Sequence, residues 1–206
     1  EYASNYLSKA KAEHNHSEIV NGYYYMLHFT NPKHRGIYAD SLVLAANKTN
    51  DATTIGSAYL TRGIAYYEIK KYSEALANYI VANKYIAPTN DQYLIHKIKF
   101  NIAQIKSFLG YNDEAISLLK ECVNYYEPEG DMPYLSSLHS LGIAYSKNGD
   151  FANSNEINKL GTTTAQAINN TIMEIYFRHS NGVNLFFLGN YKQSIHELLA
   201  TLPTLI

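Results

Sequence analysis

Tryptophan is absent from the sequence and cysteine occurs once, at Cys122. A single thiol excludes an internal disulfide and a cysteine-rich zinc site, and leaves the redox compartment open. An excess of either charge is also missing. The 17 basic residues stand against 18 acidic ones, so no bulk positive field draws the chain onto nucleic acid or anionic lipid. Long apolar runs are lacking too: stretches such as Val183 to Leu188 are broken within a few residues, far short of the ~18 that a bilayer-spanning helix needs. No transmembrane segment is expected, and without a recognition-helix pattern or basic stripe no direct nucleic-acid contact either. No basic-then-apolar leader opens the chain, and Glu1 begins a stretch that already reads as helical, so the sequence is expected to be a fragment of a longer protein. What remains is a hydrophobic content of 46%, enough to exclude a disordered chain. The 20 tyrosines are rings that can half-bury while keeping a hydroxyl in water, a composition that suits binding surfaces.

Internal repetition organises the rest. Gly63-Ile64-Ala65-Tyr66, followed by Tyr72, returns as Gly142-Ile143-Ala144-Tyr145, followed by Phe151. Three columns of small residues then fall into register over four units: Gly63, Ala103, Gly142 and Gly182; twelve residues on, Ala75, Ala115, Ser154 and Ser194; seven further, Ala82, Cys122, Gly161 and Thr201. The period is 39 to 40 residues. Two helices joined by a short turn approach closely at a few crossing points, where a larger side chain would hold the backbones apart. The columns are therefore read as crossing points of stacked helical hairpins.

The punctuation agrees. Gly110, Gly149 and Gly189 lie seven residues after their first-column partners, where a first helix needs a left-handed C-terminal residue. Asp150 and Asn190 follow as caps for the second helix, with Asp113 expected to do the same after Gly110. Pro88, Pro128 and Pro203 are expected just beyond second helices, which proline cannot continue. Asn90-Asp91 and Asp131 restart the next unit. Helices are predicted at roughly 2–13, 16–29, 35–48, 52–69, 72–86, 91–109, 112–126, 132–147, 151–168, 172–188 and 191–201, with no strand. The fold class is all-α, a superhelical solenoid of antiparallel hairpins. One array over 1–206 is expected, of about five hairpins of roughly 40 residues. Its first hairpin is irregular, marked by Gly22, Ala39 and Ala46 with a longer loop around Thr30 to His34.

These residues resemble the tetratricopeptide repeat family, whose pattern runs aromatic, Leu-Gly, Tyr, then Ala, aromatic and Ala over a helical hairpin. The resemblance is best in Tyr59 to Pro88, good in Leu138 to Phe151, and weaker in Lys99 to Pro128 and Arg178 to Pro203. The sequence departs from the family in units of about 40 rather than 34 residues, in having no tryptophan, and in Asn158 where an aromatic is usual. The phrases Tyr6-Leu7-Ser8-Lys9-Ala10-Lys11, Gly22-Tyr23-Tyr24-Tyr25 and Lys71-Tyr72-Ser73-Glu74-Ala75-Leu76 resemble the sensor regions of Bacteroidetes-type transcription regulators or kinases. The resemblance implies a bacterial regulator whose output module lies elsewhere, and a concave groove, lined by the first helices, that holds a peptide or a partner protein.

Helical geometry reaches the same face independently. Residues three before the first column, and one, four and five after it, share one side of the first helix. They are Leu60, Ile64, Tyr67 and Glu68; Phe100, Gln104, Ser107 and Phe108; His139, Ile143, Ser146 and Lys147; and His179, Val183, Phe186 and Phe187. Aromatics mixed with hydrogen-bonding groups suit an extended peptide better than a dry core. His139-Ser140 and His179-Ser180 occupy equivalent places in neighbouring units and should stand side by side, forming a polar ladder with Asn101. Two readings of the ladder stand: contacts to a ligand's backbone or carboxylate, or solvated and inter-helix hydrogen bonds. The family's carboxylate-clamping lysine and asparagine pattern is not reproduced.

Other chemistry is sparse. His14-Asn15-His16 lacks a neighbouring carboxylate or cysteine ligand and reads as a solvated turn rather than a metal site. Cys122 lies in a small-residue column and reads as a buried inert thiol. Glu18, Glu68 and Glu74 have no partner at acid–base spacing. No phosphate loop, nucleophile elbow or zinc-helix motif occurs. Neither catalysis nor a cofactor is expected, and a homodimer through the apolar C-terminal residues Leu202 to Ile206 remains open beside the peptide partner.

Overall fold

The structure, a computed structural model, describes residues 2–31 and 34–205, with the side chains of 202–205 left aside. Among the described residues it is all helical, without a strand. The helices are α1 (Tyr2–Ala12), α2 (His16–Phe29), α3 (Arg35–Ala46), α4 (Ala52–Glu68), α5 (Tyr72–Ile86), α6 (Gln92–Phe108), α7 (Asn112–Tyr126), α8 (Met132–Lys147), α9 (Phe151–Ala167), α10 (Thr171–Phe187) and α11 (Tyr191–Leu205), with a 3-10 turn at Ala87–Thr89. The chain divides into two compact units, Glu1–Asn101 and Ile102–Ile206.

In the first unit α1 packs on α2, α2 on α3, α3 on α4, and α4 on α5. Its core gathers Val20, Leu27, Leu42, Val43 and Ile55 with Ala39, Ala45 and Ala46 of α3 and Ala58 and Ala65 of α4. In the second unit α7 packs on α8, α8 on α9, α9 on α10 and α10 on α11, while α8 and α10 also touch.

All twelve column residues are buried. What covers them explains their size. A Cβ at Gly63 would lie 2.4 Å from the Tyr79 ring of α5, one at Gly142 2.7 Å from Asn158 Oδ1 of α9, and one at Gly161 2.2 Å from the Phe177 ring of α10. Two column-two serines add a bond across the crossing. Ser154 Oγ donates to Gly142 O at 2.7 Å, and Ser194 Oγ to Gly182 O at 2.8 Å. A hydroxyl is tolerated in these dry crossings because a helix carbonyl has a second lone pair to offer it.

The connections repeat as strictly. Gly110, Gly149 and Gly189 close first helices at φ +88°, +79° and +78°. The fourth equivalent is Lys70, left-handed at φ 63° without being glycine. Second helices end on a left-handed residue followed by a capping acid or amide. Asn50, Asn90, Gly130 and Asn169 are left-handed. The side chains of Asp51, Asp91, Asp131 and Asn170 then accept from the backbone N–H of Thr54, Leu94, Tyr134 and Met173. His14 (φ 51°) and Asn15, which accepts from Glu18 N, make the same turn between α1 and α2.

Three expectations are corrected. Asp113 does not cap α7: the cap position is Tyr111, without a side-chain bond, and Asp113 accepts from Asn148 Nδ2 at 3.0 Å instead. Pro203 does not stop α11, which continues to Leu205. Gly22 is no first-column residue, since a Cβ there would meet Leu7 of α1 at 2.9 Å rather than a side chain of α3. In the loop expected at Thr30 to His34, Pro32 and Lys33 lie outside the described residues.

Asn158, at the place of Tyr79 in the repeat, is fully buried and its Oδ1 and Nδ2 meet no hydrogen-bonding partner. Asn158→Leu, the residue found at the equivalent positions 119 and 198, is expected to raise unfolding free energy by roughly 1–2 kcal/mol in chemical denaturation, because an unsatisfied buried amide is removed. Gly142→Leu is expected to lower it by roughly 1–3 kcal/mol through overpacking; an unchanged midpoint would mean that the crossing is placed wrongly.

Candidate functional site

The first helices carry the face expected to meet a ligand, and its exposure is graded around the helix. Ile64, Gln104, Ile143 and Val183 are half-buried, whereas Glu68, Phe108, Lys147 and Phe187 are exposed. Leu60 and Ser107 are the exceptions. They are 3% and 8% exposed, and Leu60 belongs to the core.

In the first unit, a cleft of about 240 Å³ is lined by Tyr24, Leu27 and His28 of α2, Arg35 of α3, and Thr61, Ile64, Ala65 and Glu68 of α4. Its charged groups are already engaged: Arg35 Nη1 donates to Glu68 Oε2 at 2.7 Å. Tyr67 turns edge-on to Tyr72 at 5.4 Å. Phe100 and Asn101 are half-buried on α6. Asn101 is occupied, accepting from the Tyr79 hydroxyl at 3.2 Å and donating to Lys97 O at 2.7 Å.

The second unit gathers more of the expected residues. A cleft of about 190 Å³ between α8 and α10 is lined by Ile143 and Lys147 on one side and His179, Ser180 and Val183 on the other. Gly142, Ser146, Ser154 and Asn184 complete its walls. The neighbouring His-Ser pairs do meet: Ser180 Oγ and His139 Nε2 share a hydrogen bond at 3.3 Å. His139 lies flat against Tyr176 at 5.7 Å and edge-on to Phe177 at 5.4 Å, while Ser140 stays half-buried beside it. Burial foremost, and then the neighbouring His179, hold the His139 imidazole below its ordinary pKa. His179 Nδ1 is buried without a hydrogen-bonding partner. Lys147 Nζ reaches Ser107 O at 3.3 Å.

Sequence reasoning missed Asn184. It is 1% exposed and links three helices: Ser146 Oγ donates to its Oδ1 at 2.7 Å, and its Nδ2 donates to Ser154 Oγ at 2.6 Å. The signal was an amide two residues after the first column, where Ala65, Ile105 and Ala144 stand in the other units. At the end of α10, Phe187 stacks on Phe151 at 5.2 Å and Phe186 meets Tyr191 edge-on at 5.5 Å. Phe186 and Phe187 nevertheless remain 54% and 61% exposed.

Because His139 has a lowered folded-state pKa, the unfolded chain binds the proton more readily. Stability attributable to this residue is present above the ordinary histidine value and is lost as pH falls below it. His139→Gln, which cannot titrate, is expected to narrow the stability loss between about pH 7 and pH 5 relative to wild type. An identical loss in both proteins would show that His139 titrates as an ordinary exposed imidazole.

Residues 96–128, most of α6 and all of α7, match the tetratricopeptide repeat family model, and that is one of the units expected to show the weaker resemblance. Comparison with curated proteins gives no match. Among solved structures, the chain is similar to BtubC (BKLC) from P. vanneervenii at a TM-score of 0.79 and 14% identity, covering 97% of this chain and 87% of that one. A putative kinesin light chain from Podosopora anserina with nearly identical TPR-like repeats gives a TM-score of 0.70 and 16% identity, with 96% and 94% covered. A signal transduction ATPase with numerous domains and a tetratricopeptide repeat sensor, from Pyrococcus horikoshii, gives 0.77 and 14%, covering 98% of this chain but 32% of that one. Tetratricopeptide repeats generally mediate protein–protein interaction, and scaffolds of this kind are typically non-catalytic. The chain carries a tetratricopeptide repeat at residues 96–128, and its all-α fold is that of tetratricopeptide-repeat solenoids.

Proposed function

We propose that the chain is a protein- or peptide-binding scaffold, the sensory or interaction region of a larger bacterial signalling or transcription regulator. The observation that carries the reading is the α8–α10 cleft, whose walls mix Ile143 and Val183 with Lys147, His179 and Ser180. An extended peptide needs this combination, apolar pockets for alternate side chains and polar groups for its backbone. Exposed Phe186 and Phe187 extend the apolar part along α10. The regulatory half of the proposal is supported by the likeness to the repeat sensor of a much longer ATPase.

Selection of peptides from a random display library on the intact chain tests the binding reading. Enriched peptides are expected to bind wild type and to weaken about tenfold or more in Val183→Asp, which places an unpaired charge in the cleft. No enrichment, or equal binding to both proteins, would contradict it.

A second reading, a structural solenoid that associates with itself, is favoured by one feature. Tyr191, Ile195 and Leu199 recur every four residues along α11 and are 59%, 58% and 63% exposed. Sedimentation that stays monomeric at about 100 μM would remove it, since interfaces of biological size hold at such concentrations. The side chains of Leu202 to Leu205 and all of Ile206, where a C-terminal homodimer contact was expected, lie outside the described residues.

A further inference from the structure

A separate cleft of about 310 Å³ lies in the first unit where α1 ends, α2 begins and α3 ends. Its volume is at the lower end of the range for small-molecule sites. The charged and polar walls are Lys11, His14, His16 and Lys48 with Ser41, and the apolar walls are Ile19, Tyr23, Leu44 and Ala45. Among the described residues, no carboxylate lines it.

That absence is built in. The described acids of residues 2–51 are Glu13, Glu18, Asp40 and Asp51. Glu13 faces Lys9 at 3.9 Å, Glu18 accepts from the Tyr6 hydroxyl, Asp40 accepts from Tyr66 at 2.9 Å, and Asp51 caps α4 through Thr54 N at 2.7 Å. Glu18, Asp40 and Asp51 are thereby hydrogen-bonded elsewhere, and Glu13 stands in a solvent-exposed pair outside the cleft lining. Lys11 and Lys48 form no ion pair among the described residues, and Lys11 Nζ is held 5.2 Å above the Tyr23 ring. In a chain whose overall charge is nearly balanced, two ammonium groups around one concavity give a local positive field with no counter-charge among the described lining residues.

His14 sharpens the case. It occupies the left-handed turn position that later turns fill with Asn50, Asn90, Gly130 and Asn169. Only here does the turn put an imidazole into a cleft, two residues before a second one. A metal ion does not suit this pair. No group of three ligating residues occurs among the described residues, and two neighbouring ammonium groups repel a cation. An oxyanion fits: ammonium groups give it charge-assisted hydrogen bonds, imidazole nitrogens can add a donor, and Leu44, 68% exposed at the rim, gives an apolar body something to cover.

We propose that this cleft binds a small organic oxyanion, a phosphate monoester or a carboxylate carried on an apolar group. The cleft shares no lining residue with the two clefts of the first-helix face.

Isothermal titration of the intact chain with phenyl phosphate, benzoate and inorganic phosphate tests it, using wild type, Lys11→Ala/Lys48→Ala and the exposed control Lys159→Ala, all checked for helicity. Saturable one-to-one binding of phenyl phosphate or benzoate is expected. The tighter of the two identifies the head group. The double variant should weaken it about tenfold or more, as befits loss of two charge-assisted contacts, and Lys159→Ala should leave it unchanged. The proposal is overturned if neither organic anion saturates wild type, or if the double variant binds equally well. An equal loss in Lys159→Ala would overturn it as bulk charge, and inorganic phosphate binding as tightly as phenyl phosphate would remove the apolar wall's part.

Discussion

The closeness of the helix crossings is the constraint on which the rest depends. At Gly63, Gly142 and Gly161 a single added carbon would fall within 2.7 Å of a side chain on a facing helix. Each crossing draws two backbones together, and the side chain lying over the small residue is what seals it: the Tyr79 ring, the Asn158 amide, the Phe177 ring. Size is traded across the repeat. Where Tyr79 fills its crossing and reaches Asn101, Asn158 is short, and Phe177 of α10 covers Gly161 from the other side. Crossings this close leave the two helices that meet there little room to shift, which holds the face each presents.

That face inherits its chemistry from the crossings. Because Ser154 bonds to Gly142 O and also receives Asn184 Nδ2, the floor of the α8–α10 cleft is polar and already satisfied. Above it the walls are lined by Lys147, His179 and Val183.

Much of this was legible in the residues. Period, columns, left-handed glycines and capping acids are local rules that act within a few residues, and the helices fall within a few residues of where those rules put them, the largest departure being the end of α11. What escaped was tertiary. Lys70 takes a left-handed conformation without a glycine to announce it. Leu60 and Ser107 are buried although the rest of the expected face is half-buried or exposed, and Asp113 serves Asn148 rather than α7. Asn184 looked like an interruption of an apolar run and is instead a three-helix link. Of the ladder, the meeting of His139 with Ser180 followed from register alone, whereas the burial that shifts His139 depends on Tyr176 and Phe177, which no spacing rule points to.

A double-mutant cycle on Gly63 and Tyr79 tests the role of the crossings most directly. With Tyr79 in place, Gly63→Ala should destabilise despite alanine's better helix propensity, because the new methyl meets the ring. In a Tyr79→Leu background the same change should cost less by roughly 1 kcal/mol or more, a coupling expected only of residues in contact. Strictly additive effects would contradict the account, for they would mean that the small residue and the ring above it do not share a crossing.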